Sequence, residues 1–552
     1  MIIGALLALV LLLPAADVLR RRSQRGTPVE WGVLGVLVLA AVIARAFQLG
    51  ASSLEHLEAT YLFESVKPAT LWGTITSRQA AEQMHQPLYD ILLRYWADAS
   101  TAENWIRIPS VVFSVACVPL MWTLVRDEVD RNSALWAAAM TAVAPILVWY
   151  GRDATPYALL AMTSLTAIAS ARQALERPSR WAHIRTAIAL SLAFYTHFHG
   201  GWVAITVGAW MVSAGRERRR TVAEVTGFTA ILCLPWIPAL LNKLFTSVAG
   251  LSEDQPLMRY SHAMGEATTE AFRLLLGTHW WAVLPLVVVG SVMLFRSQRR
   301  LFWLVVSTAS VGLVAELHIL WQLQTSKGIV YVDVRHYIYL APILLIPVAA
   351  LRFGRGVCAA LVTASLIASS IPMVSLAKPD ARNAIAYLKK FAAGPEHAIA
   401  YLPAPWYESI LEYYLFDICP DLVHARSREG WWDLETCEFS ETPKEGTVYG
   451  FSPSPERAHL STRRRGLKYL WVLDMRDHRF GLAVPPTDPQ ERFLCWKDAD
   501  QALIQKKTFG EWIELSVYDA AKLRLAEPPP EFKPHPAQTV TSDEAWQLKC
   551  AP

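Results

Sequence analysis

WIRIPSVVFSVACVPLMWTLVRDEVDRNSALWAAAMTAVAPILVWY, residues 105–150, holds two apolar runs, 105–125 and 134–150, parted by a short segment that carries Arg126 and Arg131. A bilayer core about 30 Å thick is crossed by roughly 17–25 residues of helix. It offers backbone groups no water, so such runs are stable there only as helices that satisfy their own hydrogen bonds. Similar runs recur outward from this stretch in both directions, at 2–19, 31–49, 154–171, 184–196, 201–214, 221–241, 279–295, 301–321, 336–351 and 356–376. The bulk composition agrees: 53% of the 552 residues are hydrophobic, 22 are Trp, and the mean hydropathy is +0.25. The expected fold is a multi-pass α-helical membrane protein of about 12 transmembrane helices. The formal charge of +4 is small, and the basic residues fall in short clusters between apolar runs, which argues against nucleic acid as a partner.

Those clusters set the orientation, because short cytoplasmic loops retain Lys and Arg. Arg20, Arg21, Arg22 and Arg25 follow the first run, Arg126 and Arg131 the third, and Arg172, Arg177, Arg180 and Arg185 the fifth. Arg216, Arg218, Arg219 and Arg220, then Arg296, Arg299 and Arg300, then Arg352 and Arg355 continue the alternation. Every second loop is basic, which places these in the cytoplasm and the N-terminus and residues beyond 376 outside. Residues 184–214 also fit one long helix, which would invert everything downstream. Basic flanks on both sides and Gly200-Gly201 in the middle favour a helical pair. The first run also fits a signal peptide, but it lacks a basic n-region, so an anchor with its N-terminus outside is preferred.

Residues 1–376 therefore read as the transmembrane domain, with a long outer loop at 50–104, and 377–552 as a separate periplasmic or extracellular domain. In the latter, helical patterns (ARNAIAYLKKF, WYESILEYYL) alternate with β-rich runs (HAIAYL, TVYGF, LKYLWVLDM, WIELSVY), the mark of a soluble α/β domain. Its end, EPPPEFKPHP, reads as an extended tail. Cys117, Cys233 and Cys358 fall in or beside spans, where thiols fill space. Cys419, Cys437, Cys495 and Cys550 form an even set beyond the last span and suit two disulfides in an oxidising compartment. The sequence does not choose among their pairings; Cys419 with Cys437 and Cys495 with Cys550 close the shortest loops.

Two features of the outer side can carry chemistry. The first is the 50–104 loop, too long for a simple connection, with Glu55, His56, Glu58 and Tyr61 near its start and His85 through Tyr89 later. Glu55 and Glu58 are three apart and share a face if one helix runs through both. The second is a set of polar residues gathered on the same side: Arg45, Arg107, Arg152 with Asp153, the turn Thr196-His197-Phe198-His199, Lys327, and Arg335-His336-Tyr337. Cations converging above a helical bundle suit an anionic lipid headgroup, since Arg and Lys hold phosphate best in a partly desolvated site. A lone Arg at such a position more often anchors the interface. His197 and His199 are two apart and have no acidic or Cys companions at ligand spacing, so no cofactor is expected, with a divalent metal as the less favoured alternative.

The residues resemble the GT-C glycosyltransferases, in the branch of bacterial membrane enzymes similar to protein O-mannosyltransferases and lipid A aminoarabinose transferases. EHLEATYLF (55–63) stands where that family has an acidic motif, and HQPLYDILLRYW (85–96) resembles its His-Pro-Pro-Leu-Tyr element. RIPSVVFSV, VWYGRDATPYALL, FYTHFHG and VRHYIYLAPILLIP follow in the family's order, so the resemblance covers about residues 40–350. It implies transfer of one sugar from a polyprenyl-phosphate donor to a lipid, glycan or protein acceptor at the outer face of the cytoplasmic membrane. It further implies Glu58 as the acid/base carboxylate with Glu55 as the alternative, and Arg335 on the donor phosphate with Lys327 and Arg107 behind it. His85, Tyr89, Asp153, His197, His199 and Tyr337 then shape the acceptor side. Leu57 stands where the family usually has Asp, and Asp153-Ala154-Thr155-Pro156-Tyr157 replaces its Glu-Ala-Arg-Pro-Tyr. An inactive assembly subunit is therefore one rival reading. A transporter or lipid flippase is the other, but it calls for an internal repeat and paired discontinuous helices that the sequence lacks.

Overall fold

The computed structural model describes residues 2–23, 27–66, 70–75, 86–213, 215, 218–238, 269, 271–310, 334–351, 354–375, 380–392, 396–402, 410, 413–414, 430–433, 438–440, 448–452, 468–475, 496–497, 499–509, 513–522 and 524–525. The chain divides into two compact units. The first comprises Met1–Gly50, Glu64–Leu376 and Phe480–Leu482; the second comprises Ala51–Phe63, Ala377–Arg479 and Ala483–Pro552. Residues 51–63, the start of the long loop, thus group with the C-terminal part of the chain.

The first unit is helical. Its elements are α1 (Ile2–Ser23), α2 (Pro28–Ala46), the end of α3 (His56–Val66), α4 (Leu71–Ile75), α5 (Pro87–Ala97), α6 (Glu103–Arg126), α7 (Arg131–Ala142), α8 (Pro145–Tyr150), α9 (Tyr157–Glu176), α10 (Arg180–Thr196), α11 (Gly200–Ser213), α12 (Arg219–Cys233), α13 (Trp280–Ser297), α14 (Leu340–Ala349) and α15 (Arg355–Ser375). Among the described residues, five helices are long and apolar enough to cross a membrane: Ile2–Arg20, Pro28–Ala46, Glu103–Arg126, Trp280–Ser297 and Arg355–Val374. Two shorter apolar helices, Gly200–Ser213 and Leu340–Ala349, lie on other expected runs. The run at 134–150 is not one helix. Pro145 has no amide hydrogen to donate, and its ring clashes with the carbonyl four residues back, so α7 ends at Ala142 and α8 begins at Pro145. The core sits around α9, whose residues are buried nearly all round, as expected of a helix that meets protein on every side.

Residues 184–214 form the helical pair. α10 ends at Thr196, His197 to His199 make the turn, and α11 starts at Gly200. A Cβ at Gly200 would lie 2.2 Å from the Ala193 carbonyl, so only glycine permits this approach. His183 Nδ1 lies 2.6 Å from Glu224 Oε2, which puts the start of α10 and the start of α12 at one end of the unit. Other ion pairs join the same end: Arg126 and Arg131 to Glu30, Arg172 to Glu128 and Glu176, Arg185 to Asp17, and Arg355 to Asp130. Trp210 Nε1 donates to the Arg300 carbonyl at 2.8 Å. Residues from all six basic loops, or from the helix ends beside them, are thereby tied together.

The second unit contains α16 (Ala381–Phe391) and β1 (His397–Leu402), β2 (Gly430–Asp433), β3 (Glu438–Ser440), β4 (Val448–Ser452), β5 (Tyr469–Met475), β6 (Trp496–Lys497), β7 (Leu503–Phe509), β8 (Ile513–Asp519) and β9 (Arg524–Leu525). Seven strands form one sheet in the order β3-β2-β4-β1-β5-β8-β7, and β6 pairs with β9. The central trio β4-β1-β5 is parallel and the outer pairings are antiparallel. Leu470, Trp471, Val472 and Leu473 of β5 are consecutive and all buried, which fits a strand covered on both faces. At one edge, β7 is exposed and carries Lys506 and Lys507, charges that discourage pairing with another chain. α16 buries Ala381, Ala384, Ile385 and Leu388, a single helical stripe. The WYESILEYYL pattern is helical at Ile410, Tyr413 and Tyr414, and its other residues lie outside the described ones, as do Cys419, Cys437, Cys495, Cys550 and the proline-rich tail.

Candidate functional site

The acidic motif belongs to the second unit, and its geometry follows from where α3 starts. Glu55 is not in the helix; it precedes the first residue, and its carbonyl accepts the Ala59 amide at 3.0 Å. Glu58 is the third helical residue, and its Oε2 accepts the Glu55 amide at 3.0 Å. A side chain reaching back to the residue before a helix is half of a capping box, and here it fixes the orientation of the Glu58 carboxylate. Both acids are buried, Glu58 completely. The pair therefore meets through a backbone amide and a side chain, not as two carboxylates on one helical face.

In the first unit, six residues from four segments form a continuous cluster. The Arg335 guanidinium lies over the Tyr157 ring, 5.5 Å from its centroid. Tyr157 packs on His197 at 5.5 Å and on Tyr150 at 5.1 Å. His197 neighbours His199 at 5.2 Å, and the edge of one ring meets the face of the other where His199 contacts Tyr337 at 5.4 Å. The His199 amide donates to His197 Nδ1 at 3.2 Å, so this nitrogen is the acceptor and a neutral His197 carries its proton on Nε2. Burial pushes the His199 imidazole down to about 3, so it is neutral near pH 7. The cluster thus sets one cation, Arg335, among aromatic rings, of which the His199 imidazole is neutral near pH 7.

Two further cations, Arg152 and Arg107, bind backbone carbonyls. A helix leaves its last carbonyls without intrahelical partners, and these form the negative pole of its dipole. Arg152 Nη1 donates to the carbonyls of Ala44, Arg45 and Phe47 at 3.4, 3.0 and 2.7 Å, and Arg107 Nη1 donates to Leu49 at 2.7 Å. Both side chains clasp the end of α2. Burial, then the neighbouring Arg107, lower the Arg152 pKa from the usual arginine value, and Asp153 partly offsets this. Asp153 is buried beside it. The Tyr89 hydroxyl lies 3.1 Å from Ser110 Oγ, which donates to the Thr155 carbonyl at 3.4 Å, so Tyr89 braces the segment between α8 and α9.

Of the residues singled out from sequence, Arg335, His197, His199 and Tyr337 come together; Arg107, Asp153 and Tyr89 surround the end of α2 and the 151–156 segment. His85 and Lys327 lie outside the described residues. Among the described residues no three His, Cys, Asp or Glu converge as metal ligands. Tyr157, which joins Arg335 to the histidines, is a residue that sequence reasoning missed. Its signal was present, as the last residue of the Asp-Ala-Thr-Pro-Tyr element.

Residues 85–241 match a family model described as dolichyl-phosphate-mannose-protein mannosyltransferase. This match bears out the resemblance to GT-C superfamily glycosyltransferases that the motifs carry. The probable arabinosyltransferase C of Mycobacterium tuberculosis is 28% identical over 232 residues, which are 39% of this chain and 20% of that protein. Its counterpart from Mycolicibacterium smegmatis is 29% identical over 147 residues, 25% of this chain and 13% of the relative. The matched region spans about a fifth or less of these relatives' length. Among solved structures, the Archaeoglobus fulgidus oligosaccharyltransferase in complex with Zn and sulfate aligns with a TM-score of 0.49 at 13% identity, over 80% of this chain and 67% of that one. ArnT from Cupriavidus metallidurans in the apo state aligns with a TM-score of 0.40 at 10% identity, over 89% and 98%.

Proposed function

We propose that this protein is a GT-C type glycosyltransferase that moves one sugar from a polyprenyl-phosphate donor to a lipid, glycan or protein acceptor at the outer face of a bacterial cytoplasmic membrane. The observation that carries this reading is the family match at 85–241, the region that supplies Tyr157, His197 and His199 to the cluster around Arg335. In the proposed reaction an acceptor hydroxyl attacks the anomeric carbon, the bond from that carbon to the phosphate oxygen breaks, and polyprenyl phosphate leaves. The hydroxyl proton passes to the Glu58 carboxylate, with Glu55 as second choice. Negative charge grows on the departing phosphate, and Arg335 is the group assigned to it. A half-buried guanidinium over an aromatic ring is partly desolvated, which strengthens its bonds to phosphate. The scheme requires no cofactor. Residues 377–552 are assigned to the same outer side as a soluble domain.

Purified protein in lipid nanodiscs, supplied with radiolabelled polyprenyl-phosphate mannose or polyprenyl-phosphate arabinose and a membrane glycolipid fraction as acceptor, tests the proposal. Glu58→Gln should lower transfer about a hundredfold or more while donor binding is retained. Undiminished transfer in both Glu58→Gln and Glu55→Gln would remove the mechanism. Donor lipid crossing the bilayer with its sugar still attached would point to the flippase reading instead.

A further inference from the structure

The proposed acid lies on a turn whose bonds to the rest of the second unit have no part in the chemistry described above. Leu54 is fully buried, and its amide donates to the Tyr414 hydroxyl oxygen at 2.6 Å. The edge of the Tyr413 ring packs against Tyr414, with centroids 4.7 Å apart and planes at 90°, which orients the phenol. One residue earlier, Ser53 Oγ accepts the Arg382 amide at 3.1 Å. That amide is one of the first-turn donors of α16 that have no partner within their own helix, and Asp380 takes the Asn383 amide of the same turn. One residue later, the Glu55 amide holds Glu58 Oε2. Three successive residues, Ser53, Leu54 and Glu55, are thus fixed by α16, by Tyr414 and by the carboxylate itself.

We infer that Tyr414 is a positioning residue for Glu58: its hydroxyl fixes the Leu54 amide, and with it the turn whose next amide holds the Glu58 carboxylate. The inference rests on the glycosyl-transfer reading, in which Glu58 takes the acceptor proton. Leu54 is fully buried, so its amide bears the cost of an unmade hydrogen bond once the acceptor is lost, and the turn loosens. Proton transfer tolerates little misplacement of the base, whereas donor binding, assigned to Arg335, does not pass through this turn. Loss of the phenol oxygen therefore lowers the rate of the chemical step and spares the affinity for the donor.

Tyr414→Phe removes only that oxygen and keeps the ring against Tyr413. In the full-length protein in nanodiscs, hydrogen exchange of the 53–59 amides should rise about tenfold or more. With radiolabelled polyprenyl-phosphate mannose or arabinose, whichever the wild type uses, kcat should fall about tenfold at an unchanged donor KM. Ser53→Ala, which loosens the same turn from the other side, should move both readouts in the same direction, and it decides the matter if Tyr414→Phe does not fold. Unchanged exchange, or raised exchange with kcat within about twofold of wild type, or equal losses in kcat and donor affinity, overturns the inference. A wild type that transfers no sugar removes the glycosyl-transfer reading instead, and the exchange measurement still decides the anchor.

Discussion

His199 is a residue whose charge is set by the fold and not by its own chemistry. An exposed imidazole titrates near 6.5, but burial among Tyr337, Phe198 and His197 pushes His199 down to about 3. Between these values the unfolded chain binds a proton that the folded chain does not, so stability rises with pH across the window. The contribution is fully present above about 6.5 and is lost as pH falls, at up to about 1.4 kcal/mol per unit. Thermal unfolding of the wild type from pH 7.5 to 4.5 should show a falling midpoint, and His199→Phe should flatten the slope. An equal slope in both proteins would show that other groups carry it. The same neutrality bears on activity, since a rate profile between pH 5 and 8 should contain no limb that disappears in His199→Phe. Arg335 is the converse case, a charge that neighbours cannot remove. Arg335→Lys keeps that charge but gives up the guanidinium over the Tyr157 ring and, in the proposed mechanism, its two-pronged grip on the donor phosphate. Donor KM should rise about fivefold to tenfold, with a smaller change in kcat.

At the scale of elements, the end of α2 organises this region of the helical unit. Four of its carbonyls, or of those just beyond it, are taken by Arg152 and Arg107. Arg152→Met fills similar space without donors and should cost about 2–4 kcal/mol, read as a lower unfolding midpoint in detergent. Gly200→Ala should destabilise by about 1–3 kcal/mol, because its methyl meets the Ala193 backbone and the α10–α11 pair must part. Little change in either variant would mean that these contacts do not hold the helices. The elements were legible in the sequence for a simple reason: a membrane span is written in one continuous run, so the helices at 103–126 and 355–375 fall within about two residues of the apolar stretches. Pro145 also stood in plain view, but hydropathy does not register a proline, and the run it divides read as one span. The partnerships were not legible. Arg107 lies 58 positions from the carbonyl it serves, so sequence showed a cation at the outer surface and suggested a phosphate ligand. Glu58 was legible as a carboxylate near a helix start but not as the cap of that start, because the helix begins one residue later than a shared Glu55–Glu58 face requires.

Across the whole helical unit, the ion pairs of the basic loops gather at one end. Ion pairs join Glu30 to Arg126, Asp130 to Arg355, Arg172 to Glu128, and His183 to Glu224, linking basic segments that are far apart in sequence. This pattern bears on the ambiguity at 184–214. A single long helix there would carry the segment near His183 and the segment near Glu224 to opposite ends, and a 2.6 Å contact between them rules that out. Positive charge resists translocation, so the proposed topology puts the end that carries it in the cytoplasm and the segment between α5 and α6 on the other side. Substituted cysteines make this testable on intact cells. Arg220 is almost fully exposed, and Asp98 is exposed just after α5. With the unsubstituted protein as background, Asp98→Cys should react with a membrane-impermeant maleimide added to whole cells, and Arg220→Cys should react only after the membrane is opened. The native thiols Cys117 and Cys233 are buried and contribute little. Labelling of both positions from the same side would show that the charged end does not mark the cytoplasmic face, and the donor lipid would then have to be sought at the opposite leaflet.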